Sequence, residues 1–321
     1  MKPWLKRVLT GTALILGLTL MLLSRELTVY LFDILLLVML FFAVFEVMRA
    51  TKAKEKGLKL HYAFCYLSAA YIAFFIGNII TPSFGYWVQI AVQLVVLAVF
   101  LIYTFFMYYV DQTFVKQCKL KKLKIGKECW RIILGYLKII GYPSAFIFAL
   151  FALNRFNTMS PPEINMGLFV LLLVFVIGAM TDTFAFLVGI TLKGPKLCPK
   201  ISPKKTWSGA VGGVFGGMIG ALTLMLIYSI PSLTEGVFGA YFYDAGINAI
   251  WGVVLFGLIG LVGSVLVQLG DIFASYIKRK YELKDFGKIL PGHGGVMDRI
   301  DGHMFCAVFI FVTMSIVCFI I

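Results

Sequence analysis

Apolar runs close to the ~20 residues that a helix needs to cross a bilayer recur along this chain from one end to the other. They lie at about Val8 to Leu23, Leu27 to Met48, Tyr62 to Ile80, Trp87 to Tyr109, Ile132 to Leu153, Gly167 to Ile190, Gly209 to Ile230, Ile250 to Gly270 and Met304 to Ile321. One such run would be an anchor; nine make the chain polytopic. Its composition agrees, with 61% hydrophobic and 14% charged residues, far from the balance of a soluble domain. The expected fold is an all-α integral membrane protein with about nine transmembrane helices. Residues 1–131 would form an N-terminal part with helices 1–4, and residues 132–321 a C-terminal part with helices 5–9. Lys2, Lys6 and Arg7 before the first run resemble the start of a signal peptide. No small-x-small site follows Met21-Leu22-Leu23-Ser24-Arg25, so the run reads as an uncleaved first helix.

Loop charges test the count. Alternating sides through nine spans puts Lys2, Lys6, Arg7, the cations of 49–59, of 116–131, of 193–205 and of 278–299 in one compartment. The other holds only Arg25 and Arg155. Lys and Arg mark cytoplasmic loops, so the N-terminus is expected in the cytoplasm and the C-terminus outside. The net charge of +14 is then a topology signal, and nucleic acid is not an expected partner. Cys65, Cys118, Cys129, Cys198, Cys306 and Cys318 form neither a CxxC pair nor a zinc-spaced cluster. Gly209, Gly212, Gly213, Gly216, Gly217 and Gly220 recur every three or four residues in the seventh run, a small-residue face for close helix packing.

Chemistry concentrates between Gly270 and Asp301, in GDIFASYIKRKYELKDFGKILPGHGGVMDRID. If the eighth helix continues through it, Asp271, Ser275, Lys278 and Arg279 share a face. Asp298 and Asp301 would share one too if Val296 to Met304 is helical, with Arg299 between them. The bend Pro291-Gly292-His293-Gly294-Gly295 exposes backbone amides of the kind that converge on phosphate oxygens. On the same side lies Ser202-Pro203-Lys204-Lys205-Thr206-Trp207, which by composition alone is a positive-inside loop. Asp182 sits inside the sixth apolar run, where a charge costs ~2.5–3.5 kcal/mol at a helix centre and so marks function or a buried interhelical hydrogen bond.

The run S-x-x-K-R-x4-K-D-x-G-x2-L-P-G-H-G-G-x-x-D-R-x-D from Ser275 to Asp301 resembles the signature of CDP-diacylglycerol synthases, also called phosphatidate cytidylyltransferases. SPKKTW at Ser202 to Trp207 is similar to a second motif of that family, and Thr181-Asp182 stands where an acidic residue usually precedes it. The likeness is close over the last half of the chain and only general over the first four spans. Members often carry Glu where this chain has Ser208 and Ala274, and Ser where it has Gly302.

The resemblance implies transfer of the cytidylyl group of CTP to phosphatidic acid, giving CDP-diacylglycerol and pyrophosphate. It implies a bacterial inner-membrane enzyme with its site facing the cytoplasm. Asp271 and Asp298 are the expected Mg²⁺ ligands, with Asp182 and Asp301 behind them and a second cation allowed. Lys204, Lys205, Lys278, Arg279 and Arg299 would neutralise phosphates, and Lys284, Asp285 and His293 complete the signature. Ser202, Thr206, Ser275, Gly294 and Gly295 are the expected substrate contacts. CTP, phosphatidic acid and the bilayer are the expected partners, and a homodimer is compatible with them. Two other readings compete: the same fold acting on another lipid phosphate, such as an isoprenoid-ether phosphate, and a transporter using Asp182 on an ion path. No pair of broken-helix repeats supports the second.

Overall fold

A computed structural model of the chain describes residues 3–51, 111–156, 166–229, 249–290 and 294–320, with single residues between 95 and 110. These form helices α1 (Pro3–Leu27), α2 (Val29–Thr51), α3 (Gln112–Leu120), α4 (Ile125–Asn154) and α5 (Met166–Leu192). Strands β1 (Lys196–Cys198) and β2 (Ser202–Thr206) come next, then α6 (Trp207–Tyr228), α7 (Ala249–Lys280), the short α8 (Met297–Ile300), a 3₁₀ turn (Asp301–His303) and α9 (Met304–Ile320). Among the described residues five helices are long and apolar enough to cross a membrane, or six if the bent α4 counts as one span. The fold is that of a helical membrane protein. The expected span Tyr62 to Ile80, and most of Trp87 to Tyr109, lie outside the described residues.

The chain forms two compact units, one of residues 1–36 and 145–321, the other of residues 37–144. α4 carries Pro143, which has no N–H to continue the helical hydrogen-bond ladder.

In the first unit, α5, α6 and α7 pack closely because one face of α6 is glycine. A methyl group on Gly209 would stand 2.7 Å from the Ala185 carbonyl oxygen, and one on Gly216 2.6 Å from that of Met180. The stripe is therefore a packing face, as expected. Three helix ends of the same unit are tied by polar groups. Arg25 Nε donates to Asn154 Oδ1 at 2.9 Å, Asn154 Nδ2 donates to Asp33 Oδ1 at 2.8 Å, and Arg155 pairs with the other Asp33 oxygen. The Arg155 guanidinium also lies over the Tyr30 ring, 4.6 Å from its centroid.

The eighth apolar run does continue as a helix. α7 has 32 residues, about 48 Å at 1.5 Å each, which exceeds a ~30 Å hydrocarbon core by several turns. Among the described residues the strands form one hairpin, where β1 and β2 pair antiparallel with Lys196 opposite Thr206 and Cys198 opposite Ser202. The sequence reads as a plain basic loop there. Pro203 lacks an N–H for a ladder, yet it is tolerated in this two-stranded edge.

Candidate active site

The hairpin leads directly into α6, and the junction is capped. Thr206 has extended backbone angles and its hydroxyl accepts from the Gly209 N–H at 3.1 Å, a regular N-cap. Ser208 donates to the Lys193 carbonyl, fastening the C-terminal end of α5 to the start of α6. These links hold β2 over the ends of α5, α6 and α7 and enclose a pocket of about 630 Å³.

Two carboxylates reach this pocket, Asp182 from α5 and Asp271 from α7. Four lysines line it: Lys193, Lys196, Lys204 and Lys205. Lys205 Nζ lies 2.6 Å from Asp271 Oδ2, and both side chains are part-exposed. Asp182 lies in the field of Asp271, Lys205 and Arg299. Lys193, Lys196 and Gln268 carry no motif. The first two look like topology signals, but Gln268, three residues before Asp271, shares its helix face. Gln268 Nε2 donates to the Ala210 carbonyl at 3.1 Å, joining α7 to α6 beneath the pocket.

A second cluster lies behind α7. Lys278 Nζ donates to Asp298 Oδ1 at 3.0 Å and Asp301 Oδ2 at 3.1 Å, with all three side chains nearly inaccessible. The remaining Asp298 oxygen, Oδ2, accepts backbone N–H groups from Phe286 at 2.9 Å, Gly295 at 3.0 Å and Gly287 at 3.5 Å. The helical stretch after Val296 does put Asp298 and Asp301 on one side, where a single ammonium bridges them. Gly294 has φ +84°, a left-handed conformation that brings its backbone against Asp298.

This geometry separates residues that the sequence groups together. Asp182, Asp271, Lys204, Lys205 and Thr206 meet at the pocket. Lys278 and Asp298 instead neutralise each other, and Asp298 draws Phe286, Gly287 and Gly295 together, with Gly294 turning beside them. Asp298, an expected Mg²⁺ ligand, carries hydrogen bonds on both oxygens, and Lys278, an expected phosphate contact, donates to Asp298 and Asp301.

Arg279 is exposed and donates to the Leu283 carbonyl at 3.2 Å and the Ile201 carbonyl at 3.4 Å. Ser275 is half-buried one turn after Asp271, Ser202 begins β2, and Lys284, Asp285 and Arg299 are exposed. His293 lies outside the described residues. Ala274 is fully buried, so its position is a packing site in this chain.

Among the described residues no three carboxylate, His or Cys side chains converge on one point. Mg²⁺ does not require three, since it is commonly held by one or two carboxylates with phosphates and water. Asp271 and Asp182 suit that pattern as hard oxygen donors facing a pocket large enough for a nucleotide.

Comparison with known proteins agrees with the signature residues. The chain is 40% identical over 141 residues to a phosphatidate cytidylyltransferase of Rickettsia conorii, covering 44% of this chain and 56% of that protein. It is 35% identical over 172 residues to one of Brucella abortus, covering 53% and 56%. The chain spans about half the length of the curated relatives it matches. The sequence profile described as Cytidylyltransferase family matches residues 5–317, and on that near-complete match the chain belongs to this family.

Proposed function

We propose that this protein transfers the cytidylyl group of CTP to phosphatidic acid, leaving CDP-diacylglycerol in the membrane and releasing pyrophosphate. The observation that carries the reading is the pocket at the ends of α5, α6 and α7, with Asp182 and Asp271 facing Lys193, Lys196, Lys204 and Lys205. Such a cavity suits a polyanion held with a divalent cation. Family membership and the names of the relatives support the nucleotide and the lipid.

In the reaction a phosphate oxygen of the lipid bonds to the α-phosphorus of CTP, and the bond from that phosphorus to the α,β-bridging oxygen breaks. Pyrophosphate carries away the electron pair. Both reactants are anionic, so catalysis rests on positioning and on cancelling charge. Lys193, Lys196, Lys204 and Lys205 neutralise the triphosphate and the departing pyrophosphate. Arg279 and Arg299, with planar guanidinium forks, bind the lipid phosphate. No protein base is needed, because a phosphate monoester is largely dianionic near neutral pH. Asp271 and Asp182 would hold Mg²⁺, which would supply positive charge to offset that of the triphosphate and the leaving group. Lys278, Asp298 and Asp301 hold the segment that carries Gly294 and Gly295 in place. The site would face the cytoplasm, where CTP is available.

The test is direct. Purified protein with Mg²⁺ should convert radiolabelled CTP to a lipid-extractable product when phosphatidic acid is present, and not with phosphatidylcholine. No product with any lipid phosphate would sink the reading. Product with isoprenoid-ether phosphate alone would keep the chemistry and replace the acceptor.

A further inference from the structure

α7 presents two different faces at its C-terminal end. Gln268 and Asp271 line the polar pocket. Leu266, Leu269, Ile272, Phe273 and Tyr276 line a separate apolar groove of about 470 Å³, bordered also by Phe305 of α9 and Ile201 of the hairpin turn. Phe273 and Phe305 meet edge to face with centroids 5.7 Å apart, which gives the groove a firm wall. Leu269, Phe273 and Tyr276 remain well exposed in it.

Three features of the groove define its occupant. From Leu266 to Tyr276 it runs about 15 Å along α7, half of a ~30 Å hydrocarbon core and so the depth of one leaflet. Its upper end carries positive charge. Arg279 stands seven residues beyond Ile272 and eleven beyond Gln268, both close to whole numbers of turns, so it rises over the seam between the two faces. Its Nε reaches the carbonyl of Ile201, which is itself a groove residue. Finally, the hairpin borders both cavities, with Ile201 in the groove and Lys204 and Lys205 in the pocket.

We propose that this groove holds one acyl chain of the lipid-phosphate substrate and presents its phosphate to Arg279, beside the nucleotide pocket. The inference rests on the cytidylyltransferase reading and adds the route by which the lipid reaches it. The apolar length selects a chain from the leaflet, and the guanidinium selects an anionic headgroup at the level of the pocket. The nucleophile thus arrives sideways, without leaving the bilayer.

Two experiments test this. Leu269→Trp should fill the groove and raise the KM for phosphatidic acid about tenfold, the cost of keeping about two methylenes out of an apolar site. The KM for CTP should not move. Ile219→Trp, on an exposed position of α6 that lines neither cavity, should alter neither constant.

Independently of any variant, phosphatidic acid bearing a diazirine in its acyl chain should label the 266–276 stretch of the wild-type protein. Unlabelled phosphatidic acid should displace the label, and phosphatidylcholine should not. A folded Leu269→Trp protein with an unchanged lipid KM would overturn the proposal. So would label that maps elsewhere, or that phosphatidylcholine displaces equally well, which would make the groove a resting place for bulk lipid. Wild type without CTP-dependent product would sink the enzymatic reading, while the labelling would still report on the groove.

Discussion

Asp271→Asn and Asp298→Asn exchange the same groups in the same short region, and the structure predicts opposite consequences for them. Asp298 is buried, with one oxygen on Lys278 and the other on backbone N–H groups of Phe286 and Gly295. Asparagine keeps one acceptor but points an NH₂ at existing donors and leaves the ammonium with Asp301 alone. Removing one partner from a buried ion pair costs ~3–5 kcal/mol. Hydrogen bonds to a charged acceptor, worth ~1.5–3 kcal/mol each, push the figure to the upper end. Against a total stability of ~5–15 kcal/mol, that is a large fraction.

Asp271 is different. Its pair with Lys205 is part-exposed on both sides, so its loss costs no more than ~1 kcal/mol. As a pocket carboxylate, however, it should lower the rate of CDP-lipid formation by about 100-fold or more when neutralised, the scale of a lost electrostatic contribution to the transition state. The assay pairs thermal unfolding in detergent with initial rates from radiolabelled CTP at several Mg²⁺ concentrations. Asp271→Asn should melt like wild type and turn over slowly, with partial recovery at high Mg²⁺. Asp298→Asn should melt much earlier, and Mg²⁺ should not restore it. Wild-type melting in Asp298→Asn, with activity recovered by Mg²⁺, would refute this division and make Asp298 a metal ligand.

Other expectations follow from packing and charge. Gly209→Ala places a methyl group against the Ala185 carbonyl, and overpacking of this kind costs ~1–3 kcal/mol, visible as an earlier thermal transition in detergent. Reporter fusions should place the N-terminus, the 193–208 segment and the 271–303 segment in the cytoplasm and the C-terminus outside; a cytoplasmic C-terminus would show that the spans are miscounted.

The sequence revealed most where apolar periodicity runs into charge. The run ending at Gly270 is followed by Asp271, Ser275, Lys278 and Arg279 at helical spacing, which left open the extension of α7 that the structure contains. The glycine spacing of α6 was equally legible, because close packing leaves little room for side chains along that face.

The hairpin was not legible. Its strands are three and five residues long, and their lysines, with Pro203, give the composition of an ordinary cytoplasmic loop. The same ambiguity hid Lys193 and Lys196, since a cation that sets topology and one that lines a pocket are the same residue type. The surroundings of Asp298 were hidden for a tertiary reason. Its partners Phe286 and Lys278 lie 12 and 20 residues away, and no spacing rule reports that a carboxylate will be surrounded by donors.

The length of α7 also fixes a depth. Trp251, exposed near its start, has the amphipathic ring that settles at a membrane–water boundary. From there to Arg279 is about 42 Å of helix, one bilayer thickness with its headgroups. A tryptophan resting at one boundary would therefore hold the arginine at the other, level with the phosphates of the lipids around it. α7 works as a plumb line. In a thicker bilayer it would stand more upright and in a thinner one lean further, so Arg279 would keep to the headgroup plane as the membrane changes.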